Sequence, residues 1–248
     1  MGASSVRKDE VDTGHKPVPI DLANAVIKSI CKIIVKLDDY NYLKGTGFFM
    51  KISDSIKCLI TNYHVINPDF INKKIEIELW NHKKMKLNLN EYTITYIKKP
   101  KDITVIQMKN SREIYKDAEF LDYDSNYKKG YKIYKNADVF SIQYPLGKSA
   151  ASASGTILSI DDYEFTHTIS TDEGSSGCPI ILLNNNIDLV LVIGIHKNGD
   201  KINKINGGTF IGEIFEEINN SEIKKDMKKG DEEKIKYRNE INIIYKTN

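Results

Sequence analysis

The sequence predicts a protein built mainly of β-strands, and three observations carry that expectation. About a dozen apolar runs of roughly four to nine residues, each closed by Gly, Asn, Asp or Pro, follow one another along the chain. Spacing at three and four residues is scarce until positions 211–218. Hydrophobic residues make up 40% of 248, enough to bury a sizeable core and too many for wholesale disorder. Such a pattern suits an all-β sandwich, a barrel, or two stacked barrels.

In chain order, residues 1–22 mix charge with Ser, Gly and Pro and read as a loose arm, bounded at 1–24. Strands are expected over 29–37, 45–52, 58–61, 74–80, 91–97 and 102–108. A second set is expected over 139–144, 155–160, 164–169, 179–183, 189–195 and 208–211. Between the sets, near 111–131, charged and turn residues crowd and apolar runs lapse, which divides the chain into 25–118 and 119–218. Ile211, Ile214, Phe215 and Ile218 place apolar side chains on one face of a short closing helix. Residues 219–248 form a charged tail, ending in a strand-like Ile241-Asn242-Ile243-Ile244-Tyr245.

Charge and cysteine content narrow the function classes. Thirty-six Lys and Arg against 34 Asp and Glu leave a net charge of +2, too small a surplus for a nucleic-acid binder. The lysine runs, such as Lys98-Lys99-Pro100-Lys101, have acidic or apolar neighbours and read as a solvated rim. No stretch reaches the roughly 18 apolar residues of a membrane span. The start, Met1-Gly2-Ala3-Ser4-Ser5-Val6, nearly fits a myristoylation signal at Gly2, but Val6 stands where Ser or Thr is needed. Cys31, Cys58 and Cys178 cannot all pair and have no metal-ligand spacing, so reduced thiols and a cytoplasmic location are expected. Nothing in the sequence asks for a metal or organic cofactor.

The segment richest in chemistry is Thr171-Asp172-Glu173-Gly174-Ser175-Ser176-Gly177-Cys178-Pro179. Glycines on both sides of a serine permit a sharp turn that exposes its Oγ and aligns neighbouring amides. With Ser176 as nucleophile, the N–H groups of Gly174 and Ser176 form a candidate oxyanion hole, each donor contributing about 2.7–4 kcal/mol to transition-state stabilisation. A serine hydroxyl needs an adjacent base. His64, just past an apolar strand in Leu59-Ile60-Thr61-Asn62-Tyr63-His64-Val65, is the candidate among five histidines. Asp102, at the mouth of Asp102-Ile103-Thr104-Val105-Ile106, is the candidate acid that orients the imidazole. Taken singly, His64 reads as a structural histidine and Asp102 as a strand-edge charge. Their combination with Ser176 changes the reading.

Gly45-Thr46-Gly47-Phe48-Phe49, Thr61-Asn62-Tyr63-His64-Val65, Asp102-Ile103-Thr104-Val105 and Gly174–Pro179 occur in that order. Together they resemble the trypsin-like (chymotrypsin-fold) serine peptidases, over roughly residues 28–218. The resemblance implies two six-stranded antiparallel β-barrels, with His64 and Asp102 on the first and Ser176 on the second. It also implies a protein or peptide substrate cleaved through an acyl-enzyme.

Within that family the chain is similar to the glutamyl endopeptidases, in Ile142-Gln143-Tyr144-Pro145, Ala153-Ser154-Gly155-Thr156-Ile157, Ser170-Thr171 and Val192-Ile193-Gly194-Ile195-His196. That similarity implies that Thr171 and His196 bind an acidic side chain before the scissile bond. Three features depart from the pattern. Lys197 stands where relatives carry an aromatic or small residue, and Cys178 replaces Gly or Ser. The arm of about 22 residues stands where those relatives use a freed amino terminus. The competing reading is a recognition or scaffold module on a peptidase fold.

Overall fold

The computed structural model describes residues 16–109, 112–183, 189–200 and 205–218. The arm before residue 16, Gly2 with it, and the tail from 219 onward lie outside the described residues.

Two β-lobes follow one another along the chain. The first is a seven-stranded sheet of β1 (Ile30–Lys36), β2 (Tyr42–Ser53), β3 (Ile56–Thr61), β4 (Lys74–Leu79), β5 (Lys84–Leu87), β6 (Thr93–Ile97) and β7 (Ile103–Gln107). Its order is β5-β4-β1-β2-β3-β7-β6, antiparallel throughout. The second comprises β8 (Asp122–Tyr123), β9 (Asp138–Gln143), β10 (Ala151–Asp161), β11 (Glu164–His167), β12 (Pro179–Leu182), β13 (Leu191–Asp200) and β14 (Ile205–Phe210). Here β12 pairs with both β9 and β13, so six antiparallel strands close into a barrel, and β8 adds to β13 in parallel. The all-β architecture is the expected one. The first lobe differs in detail, because β5 and β6 remain separate edges of an open order.

Alternation along the strands explains the lobes. In β4, Ile75, Ile77 and Leu79 are buried while the glutamates between them are half-exposed, the period of a sheet with one face on a core. One apolar cluster fills the first lobe around Ile33, Phe49, Leu59 and Ile106. Another fills the second around Val139, Phe165, Ile180 and Phe210. A third is shared, joining Phe48, Ile60 and Val105 of the first lobe to Phe140, Ile181 and Val192 of the second.

Helices seal this shared core. Residues 20–27, expected as the end of the arm and the approach to the first strand, instead form α1 (Ile20–Ile27). Pro19 precedes it, Asp21 sits in its first turn, and Leu22 and Val26, four apart, are buried on one face. The short helix α2 (Arg112–Asp117) lies between the lobes in sequence, in the segment expected as a charged boundary. The closing helix is present as α3 over 212–218, with Ile211 and Ile214 fully buried in the shared cluster.

Candidate active site

The acid and base come from neighbouring strand ends. Strands β3 and β7 pair antiparallel with Thr61 opposite Thr104, so the residues after β3 and before β7 meet at one end of the sheet. The chain turns at Asn62, whose carbonyl accepts the N–H groups of Val65 and Ile66 at 3.1 Å each. That turn aims His64 back over the sheet end. Asp102 adopts φ +62, a left-handed conformation that L-residues other than Gly rarely take and Asp tolerates better than most. Its carbonyl accepts the Tyr63 N–H at 3.2 Å and the Asn62 side-chain amide at 2.9 Å.

The two side chains are paired closely. His64 Nδ1 lies 2.6 Å from Asp102 Oδ2, and the His64 backbone N–H donates to Asp102 Oδ1 at 3.0 Å. The carboxylate is 1% exposed, so its two oxygens are fixed by one residue rather than by water. A carboxylate on Nδ1 holds the hydrogen there and leaves Nε2 as the free basic nitrogen.

The turn carrying Ser176 is fixed by a different set of bonds. Gly174 and Gly177 both adopt φ +89, and a Cβ at Gly174 would lie 2.7 Å from the Tyr144 carbonyl oxygen and 2.8 Å from the Gly147 nitrogen. Only glycine fits there. The Leu146 N–H donates to the Glu173 carbonyl, and the Cys178 N–H donates to the Ser175 carbonyl at 3.0 Å. In a trans peptide the C=O and the following N–H point in opposite directions. Each bond therefore turns the following N–H, that of Gly174 or of Ser176, away from its acceptor. The intervening Ser175 N–H is held by the Asp172 carbonyl at 3.0 Å, and Ser175 Oγ accepts the Asp172 N–H at 3.1 Å.

His64, Asp102 and Ser176 line one cavity of about 930 Å³, with Lys99, Pro100 and Lys197 on its wall. Among the described residues no hydrogen bond joins Ser176 Oγ to His64, whereas the His64–Asp102 half of the set is complete. Such serine–histidine contacts are commonly long until a substrate occupies the site.

The two residues expected to bind an acidic side chain differ in their surroundings. Thr171 is half-buried at the head of the turn. His196 is 3% exposed, and its Nδ1 lies 3.2 Å from Nε2 of the fully buried His167. Burial and the nearby His64 charge lower its pKa to about 4, against a smaller opposing effect of the Gly207 main chain, so the imidazole is neutral at pH 7. His167 is held well below the ordinary histidine range, first by burial and then by His196. Cys178 is fully buried, and burial pushes its thiol up to about 12, which makes it a packing residue and not a nucleophile.

Three features escaped the reading of the sequence. Thr46 bonds to the turn carrying Ser176 from the opposite lobe. Lys197, which breaks the expected pattern, ties the lobes together: its Nζ donates to the Pro100 carbonyl at 3.0 Å and pairs with Glu164. His167 backs His196. The Gly-Thr-Gly triplet at 45–47 was a visible signal for Thr46; nothing in sequence pairs Lys197 with Pro100. Among the described residues, no group of three or more His, Cys, Asp or Glu side chains is arranged to hold a metal ion. No helix among them is long and apolar enough to cross a membrane.

Comparison with known proteins bears on the fold and the family. A search of the curated proteins finds no significant match. Among solved structures, the chain is similar to the Rv3671c protease of M. tuberculosis in its active form, at 16% identity and a TM-score of 0.57, over 87% of this chain and 93% of that one. The inactive form of the same protease aligns at 18% identity and 0.56, over 80% and 91%. A serine endoprotease from Yersinia pestis aligns at 14% identity and 0.60, over 81% of this chain and 65% of that one. At such identities the likeness speaks for the fold. The sequence profile described as a trypsin-like peptidase domain matches residues 45–195, from the Gly45-Thr46-Gly47 strand to the residue before His196. That span covers more than half of the chain and every segment of the cleft except its last strand turn, and the protein therefore belongs to the trypsin-like peptidase family.

Proposed function

We propose that this protein is a serine endopeptidase in which Ser176 is the nucleophile, His64 the general base and acid, and Asp102 the group that orients His64. The observation that carries the proposal is the 2.6 Å His64–Asp102 pair opening onto the cavity that Ser176 also lines. Ser176 Oγ attacks the scissile carbonyl carbon as its proton passes to His64 Nε2, and the carbonyl oxygen becomes an oxyanion held by the Gly174 and Ser176 N–H groups. The tetrahedral adduct collapses, the C–N bond breaks, and His64 returns the proton to the leaving amine. Water then repeats the sequence on the acyl-enzyme, giving the acid and free Ser176. Asp102 orients the ring and stabilises the imidazolium.

A fluorophosphonate probe tests this directly. Labelling of the wild type that disappears in Ser176→Ala, with peptide hydrolysis lost alongside, is the expected result. An unlabelled, folded wild type would favour a recognition module on the same fold.

An acidic preference before the scissile bond is the finer reading. In its favour, Thr171 heads the nucleophile turn, and His196 lies close enough to His64 to feel its charge. It requires the buried His196 to reach substrate while its Nδ1 remains with His167. A peptide library separates the possibilities: enrichment of Glu before the cleaved bond that is lost in His196→Gln supports the preference. Indifference to acidic residues in the wild type removes it.

A further inference from the structure

Thr46 is 0% exposed on β2, 128 residues from the turn it contacts, and every polar group it owns is engaged. Its hydroxyl donates to the Gly174 carbonyl at 2.8 Å and accepts the Tyr144 N–H at 3.1 Å. Its backbone N–H donates to the Ser176 carbonyl at 2.9 Å, and its own carbonyl accepts the Thr61 hydroxyl at 2.8 Å. One side chain of the first lobe thus grips the nucleophile turn of the second at Gly174, while its main chain grips the same turn at Ser176. It also holds Tyr144, the residue leading into the 145–147 turn whose Leu146 N–H orients the Glu173–Gly174 peptide.

We infer that Thr46 is a positioning residue for the oxyanion hole: its hydroxyl fixes the Gly174–Ser175 peptide directly and, through Tyr144 and the turn carrying the Leu146 N–H, supports the Glu173–Gly174 peptide whose N–H receives the developing negative charge. This rests on the peptidase reading of the site. The hydroxyl has one hydrogen to donate, and Gly174 takes it; its lone pairs receive Tyr144. Removing it leaves a buried carbonyl and a buried N–H without partners, and both lie within the segments that aim the oxyanion donor. Both peptide planes that meet at Gly174 then lose support, the 174–175 plane at its carbonyl and the 173–174 plane through Tyr144, so the Gly174 N–H is no longer held towards the hole. Donors of this kind act on the transition state and little on bound substrate, so the loss falls on kcat.

The test compares Thr46→Val, which keeps the shape and removes the hydroxyl, with Thr46→Ser, which keeps the hydroxyl. In Thr46→Val, kcat is expected to fall about 10–100-fold while KM changes less than about threefold. The affinity of a peptide boronic acid, which mimics the tetrahedral adduct, is expected to fall in parallel. Thr46→Ser is expected to keep kcat within about threefold of the wild type. A merely structural role would lower the melting temperature without this split between kcat and KM and without serine rescue. Wild-type kcat and boronate affinity in folded Thr46→Val would overturn the inference. Should the valine variant not fold, Thr46→Ala takes its place, because it removes the hydroxyl without pressing a methyl against the Gly174 carbonyl; unchanged kcat there likewise overturns it. Failure of the wild type itself to hydrolyse peptide or react with fluorophosphonate would sink the peptidase reading, a distinct result.

Discussion

The two halves of the site are fixed in opposite ways. In the first lobe, the His64–Asp102 pair is held by bonds made entirely within that lobe: two contacts to the carboxylate and two to the Asp102 carbonyl. In the second, the Ser176 turn has its own bonds but is also gripped from outside by Thr46. Further ties cross nearby: Lys197 to the Pro100 carbonyl, Thr209 Oγ1 to the Lys101 carbonyl at 2.9 Å, and Lys101 to Glu213 at 2.5 Å. The His64–Asp102 pair thus depends on bonds within one lobe, whereas the turn carrying Ser176 also depends on bonds from the other. The shared apolar cluster, with α1 and α3 packed into it, makes the docking of the lobes part of folding rather than a loose association.

The largest effects are expected from changing the three residues proposed as the triad, and they should not discriminate between the lobes. Ser176→Ala or His64→Ala is expected to lower kcat by about 10⁶-fold, and Asp102→Asn by about 10⁴-fold through the wrong imidazole tautomer. Steady-state hydrolysis of a peptide substrate checks all three, and an Asp102→Asn enzyme of near-normal rate would refute the role assigned to the acid.

A weaker perturbation sharpens the comparison. Lys197→Met removes the cross-lobe bond to Pro100 and the pair with Glu164 while leaving His64–Asp102 untouched. Its expected signature is a kcat/KM loss of about tenfold, with a melting temperature lower by about 2–4 °C. An equal loss in a Glu164→Gln variant would assign the effect to the ion pair; a smaller one, to the Pro100 contact.

The mildest effect concerns pH. His167 and His196 are held below the ordinary histidine pKa of 6.5 in the folded state, His196 at about 4. Between those values the unfolded chain binds more protons than the folded one, so stability falls as pH drops from about 6.5 towards 4. Melting curves should show this slope, and His167→Phe, if it folds, should flatten it.

Much of the site was legible because its signals are local. Thr61–Val65, Asp102–Val105 and Gly174–Pro179 each carry their geometry in adjacent residues, and glycine at 174 and 177 is dictated by φ +89. Thr46 was visible only as a hydroxyl between two glycines, since its partners lie far along the chain. The His167 partner of His196 was not legible, because strand position does not show which ring a buried histidine meets. Among the strands, β5 went unread because Lys84-Met85-Lys86-Leu87 offers only two apolar residues, as suits an edge strand protected by lysines. The two-residue β8 has no periodicity to detect. The helix α1 was hidden because its apolar residues run directly into those of β1.

Three fully buried thiols carry a practical consequence. Cys31, Cys58 and Cys178 are unpaired, and burial pushes each thiol upward, Cys58 and Cys178 to about 12. Iodoacetamide should therefore spare the native enzyme and alkylate it only as it opens. The protein thus contains its own reporter of global unfolding, and mass spectrometry after timed alkylation would read the opening rate with no added label.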